Sequence, residues 1–281
     1  MRQERRAAVD WTLDEECETP QGVVRWATLG SGDPLVLVHG TPYSSFLWRD
    51  IAPALARERK VFFFDHLGFG QSEQREGQDL SLAAHAENFT RLLDHWGLSR
   101  PSVVAHDIGG AVALRTLLLE QRSYRDLTLF DAVSGGAWER GLFQLFLEHE
   151  EVFRELPGYA HDALVAAHLR HATHTGFRPG ILDAFLAPWR GEKGQAAFYR
   201  QYSQIRQADT TAYEQLLPGI SIPVRIVWGR EDRILPPEYA EWLHEHVPQA
   251  ELHWIEGAGH LLQEDAPGQL LALLSAEFAS A

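Results

Sequence analysis

An apolar run, Val103-Val104-Ala105, passes through His106-Asp107-Ile108-Gly109-Gly110 and enters the helical run Ala111-Val112-Ala113-Leu114-Arg115 with no loop between them. The chain must bend from strand to helix within a few residues. The small residues at Ala105 and Gly109 leave room for that bend, and Asp107 stands at its apex. Such a junction belongs in a sheet whose strands are followed by helices, and the rest of the chain has to supply that sheet.

The flanking segments do so. Continuous apolar runs at Pro34 to Val38, Val61 to Asp65, Leu127 to Asp131, Pro223 to Trp228 and Glu251 to Ile255 read as strands buried on both faces. Two shorter strands are expected near Trp11 to Glu16 and Val23 to Leu29, hinged at Pro20-Gln21-Gly22. Helical periodicity marks Phe46 to Arg57, Leu82 to Trp96 with Gly97 as its cap, and Pro267 to Ala279. Alternating strands and helices predict an α/β fold, a mostly parallel central sheet with helices on both faces. The alternation stops between Ser134 and Leu217, where Phe143 to Leu156, Asp162 to His174 and Gln195 to Gln207 are helical and no strand is convincing. Residues 134–217 are therefore expected to form a helical cap inserted into a core of residues 1–133 and 218–281. It would lie over the strand ends, where open α/β sheets bind ligands.

The bend has the form of a nucleophile elbow with aspartate in place of the commoner serine. A carboxylate is already ionised at neutral pH and suits displacement at a saturated carbon, leaving an ester on the enzyme. At the N-terminus of the following helix it meets unpaired N–H groups, including that of Ile108, which can later bind an oxyanion. The plainer alternative is that Asp107 only caps the helix. His39-Gly40-Thr41-Pro42 ends the strand before it, and there the Thr41 N–H is a second oxyanion donor or the loop is an ordinary turn. Asp232 and His260 each follow a strand on the same sheet edge, in the chain order nucleophile, acid, histidine. Asp131, which ends the preceding strand, is the alternative acid.

Composition narrows the partners. A net charge of −14 argues against nucleic acid or an anionic membrane, both of which need clustered positive charge. No apolar run approaches the ~20 residues of a membrane helix, and the charged start Met1 to Ala8 lacks the apolar centre of a signal peptide. With Cys17 as the sole cysteine an internal disulfide is excluded, and a cytoplasmic protein is expected. No metal site is expected, because His168, His171 and His174 recur every three residues and drift round a helix without an acidic or cysteine partner. The glycines of Gly68-Phe69-Gly70 suit a tight turn and lack the spacing of a dinucleotide loop, so no cofactor is expected.

These motifs together resemble the α/β-hydrolase fold superfamily, and within it the haloalkane dehalogenase and epoxide hydrolase branch, whose nucleophile is aspartate. The resemblance covers His39 to Arg49, Asp65 to Ser72, His106 to Gly110, Trp228 to Asp232 and Gly257 to His260. It implies that Asp107 forms an alkyl-enzyme ester and that His260, oriented by Asp232, activates the water that hydrolyses it. The N–H groups of Thr41 and Ile108 would hold the oxyanion. The substrate would be a small apolar organic molecule, and the leading expectation is carbon–halogen cleavage, with epoxide hydrolysis as the alternative. Ester or carbon–carbon cleavage and a non-catalytic receptor stay open. Departures from the branch matter: where dehalogenases carry a halide-holding tryptophan and asparagine, this chain has Ile108 and Thr41. A halide would rely on the Thr41 hydroxyl or the Trp189 indole. Of the two cap tyrosines of epoxide hydrolases, Tyr199 resembles the second, while Phe143 and Phe146 occupy the region of the first. The arginine that follows the nucleophile in fluoroacetate dehalogenases is also absent.

Overall fold

The computed structural model describes residues 11–276; the charged start Met1 to Ala8 and the end of the last expected helix, to Ala279, lie outside them. Eight strands form one sheet: β1 (Glu15–Thr19), β2 (Gly22–Leu29), β3 (Asp33–Val38), β4 (Arg59–Phe64), β5 (Ser102–Asp107), β6 (Asp126–Ala132), β7 (Val224–Gly229) and β8 (Glu251–Ile255). Their order is β1-β2-β4-β3-β5-β6-β7-β8. The β1–β2 and β2–β4 pairs are antiparallel, and the pairs from β4 to β8 are parallel. The carboxyl ends of β3, β5, β6, β7 and β8 consequently share one edge. Side chains alternate between the faces: Val36 and Val38 join one apolar cluster with Phe62 and Phe64, while Leu35 and Leu37 join the other with Val61 and Phe63. Apolar packing on both faces is why these strands read as unbroken apolar runs.

Three expected elements differ in detail. The first strand runs from Glu15, not Trp11, because the two-residue turn Pro20-Gln21 pairs Thr19 with Gly22 and sets the register. Trp11 leaves the sheet and stacks on Phe63 at 4.6 Å between ring centres. The helix expected over 46–57 is a 3₁₀ segment, Ser45–Asp50, followed by a short helix, Ala52–Leu55. Pro53, which has no N–H to donate, is tolerated only in the first turn of the second piece. The helix expected over 143–156 breaks at His149 into Gly141–Glu148 and Glu150–Arg154. The break puts Glu150 and Glu151 in the first turn of a new helix, where carboxylates are favoured.

Two glycines let the elbow helix, Ile108–Leu118, dock closely. A Cβ on Gly109 would lie 2.7 Å from the Val38 and His39 carbonyl oxygens, and one on Gly110 would lie 2.6 Å from Ala132 Cβ. Between β6 and β7 the chain forms helices, turns and loops, the longest helices being Gly158–His171 and Gly191–Gln204. This segment is fastened over the carboxyl edge. The Thr41 hydroxyl donates to Gln201 Oε1 at 2.6 Å, the Leu80 N–H to Gln204 Oε1 at 2.7 Å, and the Trp189 indole to the Pro42 carbonyl at 2.9 Å.

The Trp189 bond is buried, and removing its donor leaves the Pro42 carbonyl unpaired. Trp189→Phe is expected to cost about 1–3 kcal/mol of stability in urea unfolding. Unchanged unfolding would show that this bond does not fasten the segment.

Candidate active site

Asp107 ends β5 with φ 53° and ψ −128°, a backbone conformation that an L-residue occupies only under constraint. The constraint comes from both sides: β5 pairs with β3 and β6, and the helix behind it is held by the close contacts of Gly109 and Gly110. The bend projects the carboxylate into the space between the sheet edge and the helical segment. Its Oδ1 accepts the Thr41 N–H at 2.7 Å, and the adjacent Ile108 N–H favours the charged carboxylate. Burial opposes its charge, but His260 and the Ile108 N–H outweigh that and hold the carboxyl below its ordinary value. Asp107 is therefore ionised, with Oδ1 accepting the Thr41 N–H and Oδ2 facing His260.

The Thr41 donor is itself held in place. His39 Nε2 accepts the His66 N–H at 2.9 Å, so the His39 proton resides on Nδ1, where it donates to the Gly40 carbonyl at 2.9 Å. His66 Nε2 returns a bond to the His39 carbonyl at 3.1 Å. Burial lowers the values of both rings, so they serve as neutral braces for the loop.

His260 Nε2 stands 3.4 Å from Asp107 Oδ2, and its Nδ1 lies 2.9 Å from Asp232 Oδ2. Asp232 is oriented by the N–H groups of Ile234 and Leu235, which donate to its Oδ1 at 2.7 and 2.9 Å. Burial pulls His260 down, yet the carboxylates of Asp232 and Asp107 outweigh it and hold the ring well above its ordinary value. The carboxylate in hydrogen-bond reach of Nδ1 is thus that of Asp232. Asp131 instead accepts the Gly229 N–H at 2.9 Å, and burial together with the Asp232 charge pushes its carboxyl well up, making it a neutral acid. His106, whose value burial lowers to about 3, is neutral and donates from Nε2 to the His260 carbonyl at 3.0 Å.

A cavity of about 70 Å³ opens on Asp107 and His260. Phe143 lines it, as do Thr41 and Ile108. The other cap residues expected at the substrate do not. Trp189 is turned to the Pro42 carbonyl, so its indole has no proton left to offer a halide. Phe146 is fully buried among Phe153, Phe198 and Tyr199. Tyr199 points its hydroxyl at His161 Nδ1, 3.0 Å away. One helical turn further on, Tyr202 reaches the cavity. Its hydroxyl is 2.9 Å from His168 Nε2 and lies near the Thr41 side chain. The Thr41 O–H donates to Gln201, and the Tyr202 hydroxyl shares one hydrogen bond with His168 Nε2. Burial lowers His168 to about 4, so it is neutral, and burial with the Asp107 charge pushes the Tyr202 phenol well up.

The family model for the α/β hydrolase fold matches residues 33–267. The chain belongs to this family. A solved α/β hydrolase fold protein from Burkholderia ambifaria is 43% identical, with a TM-score of 0.91 over 94% of this chain and 98% of that one. Haloalkane dehalogenase 2 of Mycobacterium tuberculosis is 26% identical, covering 96% of this chain and 99% of its own length. The 2-hydroxy-6-oxo-2,4-heptadienoate hydrolase of Pseudomonas putida is 29% identical over 84% of this chain and 85% of its own.

In this α/β hydrolase the cavity wall also carries Tyr202, one of the cap aromatics that the sequence offers as pocket lining, His168, weighed in the sequence only as a metal ligand, and Trp138 and Arg140, which sequence reasoning overlooked. Their signal was faint. Tyr199 and Tyr202 share a helix stripe, and which of them reaches Asp107 depends on where the helix crosses the sheet. Gly40 carries a sharper signal, since a Cβ there would lie 2.5 Å from Asp107 Oδ1 and 2.8 Å from Cγ. Gly40→Ala should displace the carboxylate and slow any reaction at Asp107 about 100-fold, measured as single-turnover adduct formation by intact-protein mass spectrometry. Wild-type rates in that variant would show that the loop yields without moving the Asp107 carboxylate.

Proposed function

We propose that this α/β hydrolase opens small epoxides through an ester on Asp107. The observation that carries the reading is the set of donors around the nucleophile. A departing halide needs donors but no proton, whereas an epoxide oxygen becomes an alkoxide and needs an acid. The indoles of Trp138 and Trp189 donate to Thr210 and Pro42, the Thr41 hydroxyl donates to Gln201, and Ile108 has no side-chain donor. The Tyr202 phenol stands at the cavity beside the charge of Asp107, and with His168 Nε2–H as the donor to it the phenol proton is free to meet a leaving oxygen. Dehalogenation is the second reading, supported by the haloalkane dehalogenase relative that aligns over nearly its full length.

In the proposed sequence Asp107 Oδ2 attacks a ring carbon, the carbon–oxygen bond breaks, and Tyr202 gives its proton to the leaving oxygen. His168 donates its Nε2–H to the phenolate as that forms. Esterification removes one of the two anions that keep His260 protonated, so the imidazolium gives up its proton, which replaces the one Tyr202 lost. Neutral His260 then deprotonates a water that attacks Asp107 Cγ, with the resulting oxyanion held by the Thr41 and Ile108 N–H groups. Collapse returns the His260 proton to the leaving alkoxide. The diol departs, and the carboxylic acid left on Asp107 passes its proton to His260. Residues 134–217 act in this reading as the cap that carries Tyr202 and His168.

Two measurements test the scheme. Tyr202→Phe should lower diol formation from a short terminal epoxide by about 100-fold while sparing halide release from a matched bromoalkane; the opposite pattern would favour dehalogenation. The pH dependence separates the two steps. Asp107 is held below the ordinary carboxylate range, so alkylation should be flat from about pH 5 to 9. Hydrolysis needs neutral His260, so it should slow as pH falls through the His260 value in the ester. Rapid-quench mass spectrometry is thus expected to find more adduct on Asp107 at acid pH, and adduct that builds up with rising pH would contradict the role given to His260.

A further inference from the structure

The cavity at Asp107 holds about 70 Å³, room for only the reacting end of a substrate, so the remainder must lie elsewhere. A groove of about 570 Å³ adjoins it, and four residues, Arg140, Phe143, His168 and Ile234, line both spaces. These four side chains lie between the cavity at Asp107 and the groove. The groove also takes in Arg233 and His171, and no carboxylate lines it. That composition is unusual for a protein with a net charge of −14.

The two arginines are not equivalent. Arg140 shares an exposed ion pair with Glu238 at 3.3 Å. Arg233 is exposed, and one guanidinium nitrogen donates to the Thr173 carbonyl at 2.7 Å. Among the described residues it has no ion-pair partner. The groove therefore offers about one uncompensated positive charge on a planar fork, next to apolar walls from Leu142, Phe143 and Ile234. A monoanionic, planar carboxylate matches that charge; a phosphate dianion would need more cations than are present.

We propose that this groove is the substrate entrance and that Arg233, aided by Arg140, selects an aliphatic carboxylate whose far end reaches Asp107. The inference rests on the reading of Asp107 as the reacting group, and it names the class of substrate for that site. Binding can be tested apart from chemistry. Trp138 lines the cavity and serves as a fluorescence reporter for titrations with straight-chain carboxylates from pentanoate to octanoate and the matching primary amides. At least one carboxylate is expected to bind about tenfold more tightly than its amide. That advantage should weaken with salt, disappear in Arg233→Gln and be partly kept in Arg233→Lys. Equal binding of acids and amides, no binding of either, or an advantage untouched by Arg233→Gln would overturn the proposal.

A second arm keeps this outcome separate from the chemistry. His260→Ala is treated with 4,5-epoxypentanoate and with 1,2-epoxypentane, and adducts on Asp107 are counted by mass spectrometry. Faster labelling by the carboxylate supports the entrance. Equal labelling by both overturns the entrance and leaves the chemistry standing. A carboxylate preference in binding, with no adduct from either epoxide, supports the entrance and removes the reading of Asp107.

Discussion

A buried carboxylate that must stay ionised is the constraint around which the upper edge of this fold is arranged. Placing a charge out of water is costly unless donors and an opposite charge surround it. Asp107 has both, in the Thr41 and Ile108 N–H groups on one side and His260 on the other. Each of those groups depends on a further one. Thr41 depends on the His39 and His66 braces, while His260 depends on Asp232 at its ring and on His106 at its backbone. Strain at the Asp107 backbone persists because so many contacts determine it.

The same arrangement separates two roles within one carboxyl group. Oδ1 is held by the Thr41 N–H, and Oδ2 is left toward His260. Two aspartates near His260 are also differentiated by surroundings. Asp232 meets the imidazole and two N–H groups, whereas Asp131, beside the charge of Asp232, is kept neutral. Residue type alone does not distinguish them.

Much of this was legible in the chain. The apolar runs located the buried strands because a strand covered on both faces has no polar side to show. Small residues around Asp107 announced the bend, since only a close strand–helix approach demands Gly109 and Gly110. Errors gathered where hydrogen bonding or charge decides the boundary, as at Pro53, at His149 and in the Pro20-Gln21 turn.

The sequence by itself determined the sheet, the elbow and the chain order of Asp107, Asp232 and His260, because strand periodicity and turn chemistry act over a few residues. Tertiary structure alone decided which carboxylate meets His260 and which side chains of residues 134–217 face Asp107. Tyr199 and Tyr202 lie on one stripe of one helix, yet one hydroxyl meets His161 and the other meets His168 and Thr41. Only the position of that helix over the sheet, held by Gln201 and Gln204, makes the distinction. The indole of Trp189 likewise looks available in the sequence, and the Pro42 carbonyl, 147 residues away in the chain, takes it. A contact between residues so distant is set by packing, which no local pattern encodes.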